Sequence, residues 1–211
     1  MSLVEYVLIG HFRLALVAGI LFAAGLLASV PVARYRLSAL EWLPLRLMRL
    51  VMRLMGRAPA LARMAIVIWL FNSSAMFVYM ASGFLAAFPM IFAFWTGLNI
   101  GLMVAHAGGD GAPLFAEFAR PDAGQWLPSK QLTAVCGAAV LLLELPCFFY
   151  ALGMGMGLAT HVQQAGARYA VALTPRASAY VCIIVPALLV SAVAESIAIR
   201  GAAGSARRGG S

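Results

Sequence analysis

The sequence predicts an all-α fold, a polytopic transmembrane helical bundle with about five spans and one interfacial amphipathic helix. Of the 211 residues, 64% are hydrophobic and only 10% are charged, which is more apolar surface than a soluble domain of this size can bury. Five apolar segments are long enough to cross a bilayer about 30 Å thick. Between the first two segments, arginines recur at helical spacing. We expect one membrane domain over residues 1–211.

The first predicted span covers residues 14–33. Arg13 flanks its start, and Pro31 marks its end. The Pro-Val-Ala sequence at residues 31–33 resembles the cleavage site of a signal peptide, which is the competing interpretation. We expect a retained first helix.

Residues 64–105 contain no Asp, Glu, Lys, Arg or His, over about twice the length that one span needs. Pro89 suits the first turn of a helix, so we predict two spans, 64–86 and 89–106. The fourth and fifth spans are predicted at 132–160 and 177–199. A loop rich in Gly and Pro, with Asp110, Glu117 and Asp122, separates the third span from the fourth.

Charge predicts the orientation. The net charge is +8, from 15 basic and 7 acidic residues. The segment between the first two spans carries Arg34, Arg36, Arg46, Arg49, Arg53, Arg57 and Arg63 against one glutamate, which predicts that it is cytoplasmic. The N-terminus is then outside and the C-terminus inside. Arg168 and Arg176, in the predicted outer loop 161–176, do not follow the rule. Because basic residues follow span boundaries, we expect no nucleic-acid partner.

A helix over about residues 40–57 is predicted to lie in the membrane interface. Its arginines, at intervals of three, four and four, share one face, and apolar residues fill the rest: Arg46, Arg49, Arg53 and Arg57. The lipid bilayer, with its anionic headgroups, is the expected partner of this face. An acidic protein partner is the alternative.

Glu144 lies near the middle of the fourth span, where a charge costs several kcal/mol. Pro146 removes a backbone donor and leaves the carbonyl of Leu142 without its helical partner. Together they predict a polar break or kink buried among helices. The glutamate is either a functional group or a hydrogen-bonded packing residue.

Further polar residues complete a predicted intramembrane polar site. Asn72 shares a face of the second span with Tyr79, and Asn99 shares a face of the third span with Thr96 and His106. Facing inward, the two amides can reach Glu144. Glu195, near the end of the fifth span, can reach the interface or pair locally.

Glycines four residues apart permit close helix packing, and two such pairs occur, Gly97 with Gly101 and Gly153 with Gly157. They indicate either packing within the chain or a seam between copies in a homo-oligomer.

The sequence points to no catalytic residue, metal site or cofactor. It contains no HExxH, GxSxG or Walker-type motif, so we expect that the protein is not an enzyme. The cysteines at 136, 147 and 182 have the pattern of small buried apolar residues. The histidines at 11, 106 and 161 lie near span ends, where a haem or pigment ligand is the less favoured interpretation.

Three stretches carry a family resemblance: "FNSSAMFVYMASGFLAAFPMIFAFWTGLNIGL", "LLELPCFFYALGMGMGLA" and "IVPALLVSAVAESI". Over roughly residues 64–199 their order and spacing resemble the stage II sporulation protein M family. Ser73 stands where the family often repeats Asn, "TGLN" reverses an Asn-Gly order, and a histidine that precedes the family's glutamate has no counterpart here.

The resemblance implies a multi-pass protein of the bacterial cytoplasmic (inner) membrane without catalysis. The family's named member resembles a scaffold that recruits cell-wall hydrolases, and other members have been likened to permease subunits. We therefore expect a non-enzymatic scaffold or subunit of a membrane complex, with other membrane proteins or further copies as partners. The alternative is a small transporter or permease-like subunit that uses Glu144.

Overall fold

The computed structural model confirms the all-α fold class. It describes residues 3–35, 38–56, 59–107, 126–164, 166 and 168–208, and in this part of the chain every regular element is a helix. Five helical segments are long and apolar enough to cross a membrane. The chain therefore has the architecture of a multi-pass membrane protein.

Most successive helices are joined by short connections. In chain order they are α1 (Leu3–Leu8), α2 (Phe12–Arg34), α3 (Ser38–Met55), α4 (Leu61–Ala81), α5 (Ala87–Ala107), α6 (Lys130–Gln164), α7 (Tyr169–Ala179), a π-helical segment (Tyr180–Ile184) and α8 (Val185–Arg208). The apolar segments that can span a membrane are α2, α4, α5, α6 and the continuous run from α7 through α8.

The fifth span begins at Tyr169, so the predicted boundary at 177 and the predicted outer loop 161–176 are wrong. Arg176, assigned to that loop, lies inside α7 with a side chain only 3% exposed. Because Arg176 is buried within the bundle, it is not a basic residue of an outer loop. Of the two arginines that did not follow the rule for cytoplasmic positive charge, only Arg168 remains. The apolar residues of "YAVALTP" already belong to the span. Arg176 directly follows them and interrupts the apolar run, so the sequence indicated a span that begins only after the arginine.

The second span ends at Ala81 rather than 86. The Ser82 hydroxyl donates a hydrogen bond to the carbonyl of Tyr79 (2.7 Å), and the chain turns over residues 82–86 into α5. The predicted acidic loop with Asp110, Glu117 and Asp122 lies outside the described residues.

Exposed cations are distributed unequally between the two ends of the bundle. We call the end at which α2 finishes and α3 lies the basic end. Its exposed cations, among the described side chains, are Arg34, Arg46, Arg49, Arg53, Arg63 and Lys130. The opposite end, which carries α1 and the two short connections, exposes Arg13 and Arg168.

Helices α2 and α5 run parallel and approach to backbone contact. A Cβ atom at Gly97 would overlap the carbonyl of Phe22, and one at Gly25 would overlap the carbonyl of Phe94. A Cβ atom at Gly101 would overlap the hydroxyl of Ser29. Gly97 and Gly101 therefore lie in an interface within the chain.

Helix α6 passes through the middle of the bundle and uses its glycines on two faces. A Cβ atom at Gly153 would meet the backbone of Ala15 at 2.9 Å, and one at Gly157 would meet the His11 ring at 3.2 Å. Gly155, on the other face, lies against the carbonyl of Tyr79. Alternate positions of a helix point about 200° apart, so glycines at 153, 155 and 157 admit neighbours on both sides.

The connection between α3 and α4 is fixed by two arginines. Gly56 ends α3 with φ of 78°, a left-handed conformation that favours glycine. Arg63 donates Nη2 to the carbonyl of Leu54 (3.0 Å), which satisfies a terminal carbonyl of α3. Arg200 donates Nη2 to the carbonyl of Pro59 (2.8 Å). Helix α3 is thereby attached to α4 and α8.

The fifth span contains a π-helical segment, Tyr180–Ile184, immediately before Pro186. Proline has no amide proton and cannot donate to the carbonyl four residues earlier, so regular α-helical bonding fails there. Helix α4 bonds to this region: Trp69 donates Nε1 to the carbonyl of Val185 (3.1 Å), and the Tyr180 hydroxyl donates to the carbonyl of Ser73.

We predict that Gly97→Ala lowers the free energy of unfolding by about 1–3 kcal/mol, because the added methyl group must push α2 away from α5. Gly137 is the matched control, since a Cβ atom there meets nothing within 4 Å. Gly137→Ala is expected to leave stability unchanged or raise it by about 0.5–1 kcal/mol. Unfolding in mixed micelles with increasing SDS measures both. Equal effects of the two substitutions would contradict the close approach at Gly97.

Candidate functional site

Glu144 is the centre of a polar cluster that joins three spans. Its Oε1 atom accepts a hydrogen bond from Asn72 Nδ2 of α4 (2.9 Å) and another from Ser191 Oγ of α8 (3.1 Å). Ser191 is fully buried, whereas Glu144 and Asn72 are partly buried. The structure thus brings together the predicted residues Glu144 and Asn72, and it adds Ser191.

A second carboxyl group belongs to the same region. Glu195 lies four residues after Ser191 and so shares its face of α8. Its Oε2 atom is buried and has no hydrogen-bond partner among the described residues. Glu195 lies within the range of electrostatic interaction with Glu144. We expected Glu195 to reach the interface or to pair locally, but its Oε2 atom is buried. The nearby arginine of the same helix, Arg200, bonds to the carbonyl of Pro59 instead.

The other predicted amide, Asn99, makes no hydrogen bond to Glu144, although both residues belong to the described part of the chain. Its buried Oδ1 atom has no partner there. Its neighbours on the predicted face do connect α5 to α4, because Thr96 donates Oγ1 to the Tyr79 hydroxyl (3.3 Å). The side chain of His106 lies outside the described part.

Helix α6 continues through Pro146 without interruption, so the predicted break is absent. Pro146 is exposed on the outer face of the bundle, whereas Glu144 contacts α4 and α8. Proline is tolerated within membrane helices when surrounding groups compensate for the lost bond. Within the segment "ELP", the glutamate therefore faces neighbouring helices, whereas the proline faces outward.

A second polar cluster, which the sequence analysis missed, lies at the end opposite the basic end. Arg176 donates Nε to the carbonyl of Met154 (3.2 Å), Nη1 to the carbonyl of Ala172 (2.5 Å) and Nη2 to His161 Nδ1 (3.4 Å). Buried His11, just before α2, donates Nδ1–H to the carbonyl of Tyr6 (3.0 Å). These bonds connect α6 to α7, and α1 to the start of α2.

The His11 pKa lies below its ordinary value, since burial disfavours the charged imidazole. The bond to the Tyr6 carbonyl opposes this shift, and the charges of Arg176 and His161 add to it.

The predicted basic face of α3 is exposed where it is described. Arg46, Arg49 and Arg53 are exposed, and the Arg46 guanidinium lies over the Trp42 ring, 4.1 Å from its centroid. Arg57 lies outside the described residues.

The cysteines are free thiols, with Cys136 buried, Cys147 partly buried and Cys182 exposed. The expectation of burial is wrong for Cys182, since its side chain lies on the outer face of the π segment. Within the described ranges, no cluster of three His, Cys, Asp or Glu side chains could hold a metal ion.

The Glu144 cluster offers chemistry suited to a proton or a small hard cation. Carboxylate, amide and hydroxyl oxygens are the groups that bind such ions in proteins. An ionisable side chain within a span is by default a candidate for a functional site. The signal that could have identified Ser191 was its spacing of four residues from Glu195.

The chain matches no protein-family model, no curated protein and no solved structure. The resemblance to the stage II sporulation protein M family therefore stays a prediction from the three quoted stretches.

We predict that acid destabilises the fold through His11. A histidine with a lowered native pKa binds protons more readily when unfolded, so its stabilisation is complete above about pH 6.5 and is lost as the pH falls below that value. His11→Asn keeps a donor for the Tyr6 carbonyl but cannot titrate. Thermal unfolding in detergent at neutral and mildly acidic pH should show a smaller loss of stability for the variant than for the wild type. An equal loss in both proteins would contradict the assignment.

Proposed function

We propose that this chain is a non-enzymatic protein of the bacterial cytoplasmic membrane that acts as a scaffold or subunit of a membrane protein complex. The observation that carries the proposal is the exposed half of α6. In its most apolar stretch only 11% of residues are buried, against 28–33% in the other spans. This part of α6 has the most surface free to contact another membrane protein.

The exposed surface of α6 is suited to a partner helix. Gly137, with no neighbouring atom in reach, lies between exposed Ala134 and Leu141 at helical spacing. Small residues on a membrane helix let a second backbone approach closely. The glycines at 97, 101, 153 and 157 already face helices of this chain, so they are less suited to a seam between copies than Gly137.

The proposed orientation places the basic end in the cytoplasm. Six of the exposed described cations lie there and two lie at the opposite end, Arg13 and Arg168. Positively charged segments are retained on the cytoplasmic side. The three family-like stretches support the same assignment, because the family that they resemble contains scaffold-like membrane proteins.

We predict that mild-detergent purification of the tagged protein yields a stoichiometric membrane partner or a homo-oligomer, identified by mass spectrometry and native mass. Gly137→Leu should reduce the recovered partner at least about tenfold, because one lost close contact of about 1.4 kcal/mol has that effect. Ala24→Leu is the control, since Ala24 is an exposed small residue on α2. Recovery of only a monomer would overturn the proposal, and equal recovery with Gly137→Leu would exclude this surface of α6.

A second candidate function, transport coupled to a proton or cation, is favoured by the Glu144 cluster. Glu144 and Glu195 are carboxyl groups inside spans, and intramembrane carboxyl groups mark ion and proton pathways in transporters. The cluster joins α4, α6 and α8, so binding of an ion at Glu144 could change their relative packing.

For this candidate we predict that Glu144→Gln reduces ion flux in proteoliposomes at least about tenfold, as expected when the ionisable group of a coupling site is removed. Glutamine retains an oxygen that can accept from Asn72 and Ser191, so the fold is preserved. Glu5→Gln is the control, because Glu5 is an exposed carboxyl group on α1, outside the spans. Unchanged flux with Glu144→Gln would exclude this function and leave the scaffold proposal intact.

A further inference from the structure

Helix α3 presents a cationic strip on the face that points away from the bundle. Trp42, Arg46, Arg49 and Arg53 recur at intervals of four, three and four residues, so they share one face. All four are exposed. We call these four residues the Trp-Arg strip.

The opposite face of α3 attaches the helix to the bundle. Leu40, Val51 and Met55 are partly buried and recur at intervals of eleven and four, which places them on the side away from the strip. Leu40 packs against a core cluster of Val32, Leu98 and Leu102. The strip is therefore held outward by packing on the other side, and it is part of a fixed surface.

The strip has no acidic neighbour on a described side chain. The acidic residues whose side chains are described are Glu5, Glu144 and Glu195, and they belong to α1, α6 and α8. The Arg46 guanidinium rests on the Trp42 ring, which orients its hydrogen-bond donors without neutralising its charge. The three guanidinium groups, within about two helical turns, are therefore exposed and able to bind an anionic partner.

Apolar side chains beside the strip distinguish a lipid surface from an acidic protein. Leu50 and Leu54 are 48% and 51% exposed, and they lie on one flank of the Trp-Arg strip. Trp42 is 54% exposed. A tryptophan, a row of arginines and a flank of leucines are the features of a helix seated at the boundary between headgroups and acyl chains.

The position of α3 along the chain fits the same interface. It lies between the end of α2 and the start of α4, two spans that cross the membrane in opposite directions. Short connections at both ends, one held by Arg63 and the other only three residues long, keep it at the basic end.

We propose that the Trp-Arg strip binds the phosphate groups of anionic lipids at the basic end of the bundle, with Leu50 and Leu54 contacting the acyl chains. Guanidinium groups bind phosphate through paired hydrogen bonds, which an ammonium group cannot reproduce. This inference does not depend on the scaffold or transport function.

The test is a titration of the delipidated full-length protein, in detergent, with short-chain phosphatidylglycerol or phosphatidylcholine, followed by native mass spectrometry. Phosphatidylglycerol should bind more tightly than phosphatidylcholine. The triple variant Arg46→Gln, Arg49→Gln, Arg53→Gln should lose roughly fivefold in affinity per arginine, or roughly a hundredfold in total. Added salt should weaken the binding of the wild type.

Two further variants control for charge and folding. The double variant Arg13→Gln, Arg168→Gln removes exposed cations from the opposite end and should bind phosphatidylglycerol as the wild type does. Replacement of the three strip arginines by lysine preserves the charge and should lose no more than about tenfold, because only the paired geometry is removed. The substituted side chains are exposed, so helical content by circular dichroism should be unchanged.

Three results would overturn the proposal. The first is equal affinity of the wild type and the glutamine triple variant for phosphatidylglycerol. The second is displacement of the lipid by inorganic phosphate at matched concentration, which would indicate a site for the free anion. The third is loss of a co-purified acidic protein from the glutamine variant with unchanged lipid affinity, which would assign the strip to protein docking. None of these results bears on partner recovery with Gly137→Leu or on flux with Glu144→Gln.

Discussion

The packing of the bundle depends on how closely the backbone of α6 approaches its neighbours. Lipid tails are as apolar as leucine, so membrane helices gain little by hiding apolar side chains from lipid and associate through close packing and hydrogen bonds. Glycines at alternate positions of α6 let the start of α2 approach one face and the end of α4 approach the other. One helix thereby determines the separation of two others.

The same contacts place the Glu144 cluster. Glu144 precedes Gly155 by eleven residues, about three turns, so the two residues point in nearly the same direction. Near Gly155 the backbone of α6 touches α4 at Tyr79, and near Glu144 it meets α4 at Asn72. Because α4 and α6 run parallel, the glycine contact sets the register in which amide and carboxylate meet. Ser191 completes the cluster from α8, which runs in the opposite direction.

The sequence was sufficient to predict an all-α membrane bundle, because hydrophobic content and span length follow directly from composition. It also singled out Glu144 and Asn72, since polar groups inside apolar runs are conspicuous. It did not reveal Ser191, because the spacing of four residues between Ser191 and Glu195 gains meaning only once the carboxylate of Glu144 is known to face the same side of α8. Nor did it show that Arg176 belongs to a span, because the bonds that stabilise it come from backbone carbonyls of two helices.

Local chemistry also explains the remaining differences. Pro146 indicated a break or a kink, yet α6 continues without a break, because a helix in a membrane is held by the helices around it as well as by its own bonds. The π segment before Pro186 shows the other response to a proline. There the helix changes its hydrogen-bonding pattern, and bonds from Trp69 and Tyr180 connect the altered region to α4.

That π segment makes the fifth span one residue longer than a regular α-helix between the same two points. The span can therefore lose a single residue there and keep both flanks in register, whereas a loss anywhere else would turn the following residues by about 100°. Arg176 on one side and Ser191 on the other are therefore joined by a helix whose phase shifts by about one residue between them. The faces on which they lie do not follow from regular spacing of about 100° per residue across this segment.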